Sequence, residues 1–130
     1  MTTTLTFTIP ADLWLSANDR PHWAPKAKRT AALREYGRFN AVAGMATRPL
    51  GPCHVAAFIG YPRSGRADPA NAAPTVKALI DGLVDAGVWP DDDSTYVIGP
   101  TYLRDKASGQ AGVHTVRLVL TPQDLPWEVA

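Results

Sequence analysis

Seven side chains with formal charges lie between Asp68 and Asp93, and six of them are aspartates; the seventh is Lys77. Hydrolysis of a phosphodiester loads negative charge onto the phosphoryl oxygens and needs a hydroxide-like nucleophile at neutral pH. Magnesium supplies both, and it is bound through one or two carboxylates together with water and substrate oxygens. Several aspartates with a lysine nearby are therefore the protein side of such a site. The spacing raises a difficulty, because Asp68 precedes a helical stretch and Asp91, Asp92 and Asp93 follow it. A helix of about four turns is roughly 20–25 Å long. The two ends can meet only if the chain after Gly87 runs back along a helix shorter than this, for which Val88-Trp89-Pro90 is a short return, or if a second subunit supplies part of the site. An aspartate run after Pro90 also reads as a solvated turn, and Lys77 also reads as the partner of Asp81 one turn on.

The formal net charge of +1 hides an asymmetry. Residues 1–66 carry nine Lys/Arg against three acids, a balance of +6, and residues 67–130 carry four against nine, a balance of −5. That polarity suits a protein that holds a polyanion on one surface and cations on another. Lys26, Lys28, Arg29, Arg34 and Arg38, with Arg63 and Arg66, are the candidate phosphate contacts. The length of 130 residues fits one domain, 1–130, and an apolar content of 45% supports a core. No run of 18 apolar residues predicts a membrane span, and the N-terminus lacks the pattern of a signal peptide. One cysteine, Cys53, forms no internal disulfide, and His22, His54 and His114 are too scattered for a zinc site. The expected setting is intracellular, in the cytoplasm.

The elements that must position these residues follow from periodicity. Residues 4–9 alternate polar and apolar as a half-buried strand stopped by Pro10, and 11–25 read as an ordered loop holding Trp14 and Trp23. Packing over the sheet, or wedging against a base, are the two roles open to those tryptophans. Residues 26–46 favour a helix with Ala32, Tyr36, Phe39 and Ala43 as its apolar stripe. A buried strand is expected over 54–61, then a basic loop over 62–67. Val76, Leu79, Ile80, Leu83 and Val84 fit the helical template, with Gly87 as the stop and Asn71, in preference to Asp68, as the N-cap. Residues 95–103 and 113–120 are expected to pair as a hairpin across a mobile tip. Trp89 is expected to close the second helix on the core, and Cys53 to be buried. The order β-α-β-α-β-β predicts an α+β domain, a mixed sheet of about four strands covered by two helices.

The stretch Arg66-Ala67-Asp68-Pro69-Ala70-Asn71, followed by Pro74-Thr75-Val76-Lys77, Asp81-Gly82-Leu83, Asp85-Ala86-Gly87 and Asp91-Asp92-Asp93, resembles the signature of RusA-type Holliday junction resolvases. Ser16-Ala17-Asn18-Asp19-Arg20 is similar to that family's early Ser/Asn/Arg loop. The resemblance spans roughly residues 4–120, with its specific part at 66–93. It implies a RusA-like fold and a homodimer that binds a four-way DNA junction and cuts two opposed strands with magnesium, for which manganese can substitute. On this match Asp68 and Asp92 are catalytic metal ligands, Asp91 or Asp93 is a further ligand, and Lys77 stabilises phosphoryl charge. Arg20 joins the DNA-binding set. The sequence departs from the pattern at Ala70, where the family has a second aspartate. Asn71 is a candidate for polar support there. The alternative is a branched-DNA-binding protein with weak or lost cleavage.

Overall fold

The computed structural model describes residues 1–18 and 23–124, with the side chains of residues 23 and 24 left out. Its elements are β1 (Thr3–Pro10), α1 (Trp23–Gly44), β2 (Cys53–Gly60), a 3-10 turn (Pro69–Ala72), α2 (Ala73–Asp85), β3 (Val97–Arg104) and β4 (Val113–Pro122). The sheet order is β1-β4-β2-β3, with β2 and β3 parallel and β4 antiparallel to both neighbours. The expected α+β architecture of a four-stranded mixed sheet with two helices is therefore what forms.

Alternation decides which face is inside. Leu5, Phe7 and Ile9 of β1 are buried, as are Val116, Leu118 and Leu120 of β4, and the register pairs Leu5 with Leu118 and Phe7 with Val116. The helices pack on this face: Tyr36 of α1 meets Phe7 edge-on at 5.0 Å, and Val76, Leu79 and Leu83 of α2 join the same core. The opposite face is polar at Thr4 and Thr6 and carries Arg117 over the Phe58 ring. Among the described residues no helix is long and apolar enough to cross a membrane.

Residues 95–103 and 113–120 do not pair as a hairpin. β3 lies at the sheet edge beside β2, and β4 inserts between β1 and β2. The link between β3 and β4 crosses the end of β2 instead: Asp105 N donates to Ile59 O, and Ser108 N donates to Tyr61 O. Gly60 makes room for this crossing, since a Cβ there would lie 2.9 Å from Lys106 O.

The apolar stripe of α1 also differs. Leu33 and Ala41 are fully buried, whereas Phe39 is 64% exposed and Ala43 is exposed. The buried line runs Leu33, Gly37, Ala41 because α1 and α2 cross in backbone contact at two glycines. A Cβ on Gly37 would overlap Leu79 O, and one on Gly82 would overlap Arg34 O and lie 2.6 Å from Arg38 N. α1 begins at Trp23, inside the stretch read as loop.

Asn71 does not cap α2. Asp68 caps the 3-10 turn, its carboxylate accepting from Ala70 N at 3.2 Å, with Pro69 next in line. α2 then starts at Ala73 with Pro74 in its first turn, so Pro74 removes no hydrogen bond. Asn71 contributes its backbone carbonyl, which accepts from Ala17 N at 2.8 Å. Thr75, fully buried, secures the same loop: its hydroxyl donates to Leu15 O at 2.7 Å and accepts from Leu15 N at 2.9 Å. Thr75→Val leaves both Leu15 groups buried and unpaired, for an expected loss of about 1–2 kcal/mol in urea unfolding, while Thr75→Ser retains most of it.

Candidate active site

The chain leaves α2 through Gly87, whose φ of +85° only glycine adopts freely. Gly87 N donates to Val84 O and Val88 N to Leu83 O, the paired bonds that end a helix and reverse the chain. Val88 and Trp89 are then buried, and Leu50 N donates to Val88 O while Trp89 Nε1 donates to Gly51 O at 3.0 Å. As expected, Trp89 closes α2 onto the core, and Cys53 is buried, where desolvation raises its thiol pKa. Anchored in this way, the chain returns along α2 and places Asp92 against Lys77, in the second turn of the helix. The chain thus returns as far as the second turn of the helix, and among the described residues Asp68 and Asp92 are not gathered into one metal-ligand group.

Lys77 Nζ donates to Asp92 Oδ2 and, at 2.9 Å, to Asp81 Oδ1. The pairing of Lys77 with Asp81 is therefore realised together with a contact to the aspartate run. The lysine is exposed, and the two carboxylates are 27% and 23% accessible. The bond to Asp92 raises the Lys77 pKa, against a smaller opposing effect of burial, and Asp81 adds to the rise. Asp92 is held below the usual carboxylate range, chiefly by Lys77. Lys77 and Asp92 open onto a pocket of about 250 Å³ floored by Ile80, Val97, Gly99, Pro100 and Tyr102.

The other aspartates lie apart from this cluster or serve the turn. Asp91 Oδ1 accepts from Asp92 N, and Asp93 Oδ1 accepts from Thr95 N, so these two carboxylates shape the acidic loop. Asp68 is exposed at the 3-10 turn and lies close enough to Tyr61 to reinforce the rise in phenol pKa that burial produces. β3 links the two regions: Tyr102 lines the Lys77 pocket, and Arg104, two residues on, lies 5.9 Å over the Tyr61 ring. Among the described residues no three Asp, Glu, His or Cys side chains gather as a metal-ligand group. Asp81, part of the stretch that carries the family resemblance but not among the residues expected to act, joins the cluster through Lys77; its i, i+4 spacing to that lysine is the signal in the sequence.

The basic residues divide into those with a carboxylate partner and those with none among the described residues. Arg34 makes a two-point contact with Asp85 at 2.5 and 2.8 Å, and Arg38 pairs with Glu35. Arg29 donates to Trp14 O. Lys26, Lys28, Arg63 and Arg66 are exposed, and no acidic partner is placed on them among the described residues. Arg20, Trp23's side chain and His22 lie outside what is described. Trp14 packs against the core with its ring stacked on His114 at 3.9 Å, and His54 bonds Thr101 at 2.8 Å. If DNA lies on this surface, Lys26→Ala and Lys28→Ala should each lower the log–log salt slope of duplex binding by about 0.9. Arg34→Ala and Arg38→Ala should lower it less, because their guanidinium groups are already neutralised. Equal slopes for all four variants would remove this ordering.

No family model matches the sequence, and no curated protein matches it.

Proposed function

We propose that the protein is a magnesium-dependent endonuclease acting on branched DNA, cutting four-way junctions as a homodimer in the manner its likeness to RusA-type resolvases implies. The observation that carries this reading is the return of Asp92 onto Lys77 beside an open pocket. Two carboxylates, Asp81 and Asp92, converge there on one ammonium group. Magnesium needs only one or two protein carboxylates, and Asp92 and Asp81 are the residues that would hold it, the ion taking the place that the Lys77 ammonium now fills between them; Asp68 is the outlying third. Bound magnesium would neutralise phosphoryl charge and supply an activated water.

The rest falls to the chain itself. Lys77 is paired with Asp81 and Asp92 and would place its positive charge on the phosphoryl group once those carboxylates turn to the ion. Lys26, Lys28, Arg63 and Arg66 draw in and orient the phosphate backbone. Two subunits related by a two-fold axis match the near two-fold symmetry of a four-way junction and its need for two cuts.

A labelled synthetic junction incubated with magnesium or with EDTA tests the reading, beside Asp68→Asn. Paired, symmetric nicks that require magnesium and fade in the variant are the expected result. A second reading rests on Ala70 and on the absence of a three-residue ligand group among the described residues: a protein that binds branched DNA without cutting it. Tight junction binding with no nicks under magnesium or manganese would establish that reading in place of the first.

A further inference from the structure

The loop after β2 forms an open pocket of about 300 Å³ lined by Tyr61, Pro62, Arg63, Ser64, Gly65 and Arg66. We propose that it is a nucleobase subsite, in which an unpaired nucleotide stacks on Tyr61 while its flanking phosphates lie on Arg63 and Arg66. The proposal rests on the branched-DNA reading above and deepens it by naming the part of the substrate that this end of the molecule recognises.

Three features carry it. The first is the support beneath Tyr61. His114 meets the Tyr61 ring edge-on at 5.4 Å and is itself stacked flat on Trp14 at 3.9 Å and 8°. A ring braced in this way has little rotamer freedom left to lose when a base settles on it. The second is the concentration of unpaired charge. Arg34, Arg38 and Arg117 are matched by carboxylates, whereas Arg63 and Arg66 have none among the described residues; Arg104 lies 5.9 Å over the Tyr61 ring, so a base must stack on the other face or take its place. Stacking platforms flanked by free arginines are what sequence-tolerant binding of single strands requires. The third is position: Asp68 follows Arg66 by two residues and lies within electrostatic reach of Tyr61. The volume is at the lower end for small-ligand pockets, which suits one planar base. A base inside a duplex has its faces covered by its neighbours, so the subsite favours the unpaired nucleotides of an opened branch point.

The test is fluorescence anisotropy in EDTA, with a labelled oligo-dT strand and a duplex of equal length. Tyr61→Ala is expected to weaken strand binding roughly ten-fold or more, to leave duplex binding unchanged, and to be rescued by Tyr61→Phe. Arg63→Ala and Arg66→Ala should each lower the strand's salt slope by about 0.7. Strand binding unchanged in Tyr61→Ala, or equal weakening on strand and duplex, would overturn the proposal. If the alanine variant fails to fold by circular dichroism, Tyr61→Leu keeps bulk without an aromatic face and is read the same way. Cutting is not part of this measurement. A parent protein that nicks junctions while Tyr61→Ala binds normally loses only the subsite, and one that never nicks but shows the selective loss forfeits only the nuclease reading.

Discussion

Asp92→Asn is expected to slow magnesium-dependent cutting of a four-way junction by a factor on the order of 10²–10³, because it removes one of the two carboxylates that would hold the ion offsetting the phosphoryl charge. Junction affinity in EDTA should stay within about three-fold of the parent. The variant keeps the size of the side chain and an oxygen acceptor for Lys77 but removes the charge, so the lysine retains only Asp81 as a full counter-ion. Binding is spared because no cation is removed; a lost carboxylate, if anything, eases the approach of phosphates. Asp91→Asn and Asp93→Asn serve as internal controls, since those carboxylates accept bonds from Asp92 N and Thr95 N in the turn. Their cutting rates should fall much less. Single-turnover cleavage under saturating protein separates the chemical step from binding, and an Asp92→Asn rate equal to the parent's would remove this residue from the site.

Gly82→Ala should destabilise the fold by about 3 kcal/mol in urea unfolding, the upper part of the usual overpacking range. In an ordinary helix the same change stabilises, by up to about 1 kcal/mol, so the sign itself is informative. The added methyl would overlap Arg34 O and lie 2.6 Å from Arg38 N. These are backbone atoms of α1 and cannot rotate aside. The helices must move apart, loosening Leu33, Leu79 and Leu83 in the core and stretching the Arg34–Asp85 pair. Gly44→Ala is the matched control: its methyl meets only a Leu5 side-chain carbon at 3.7 Å. Stability unchanged in Gly82→Ala would mean that the helices can separate at little cost.

Periodicity exposed the elements whose burial is one-sided. β1 and β4 alternate cleanly, and α2 keeps every apolar residue of its template facing inward or half-buried. It misread α1, because hydrophobic patterning assumes that side chains make the contact. Where Gly37 and Gly82 let backbones touch, the buried stripe follows the glycines and Phe39 is left outside. The insertion of β4 was also hidden, since local turn signals between residues 104 and 112 do not reveal that the chain passes over Gly60 to reach a different neighbour. For the candidate site, the sequence exposed the acidic and basic residue types. What it withheld was geometry set by Gly87 and Trp89, the reversal and anchor that carry Asp92 to Lys77, and with it the part taken by Asp81.

The place of β4 bears on how the protein is made. Among the described residues β4 is the last strand in sequence, yet it is the sole partner of β1 and one of the two partners of β2. While the ribosome has delivered only β1 to β3, β1 has no strand to pair with, and one edge of β2 is open to any strand that passes. Nascent chains therefore wait, with Leu5, Phe7 and Ile9 uncovered on their sheet side, until residues near 120 clear the exit tunnel. Synthesis slowed between β3 and β4 would lengthen that exposure, and chaperone capture would concentrate on this one interval.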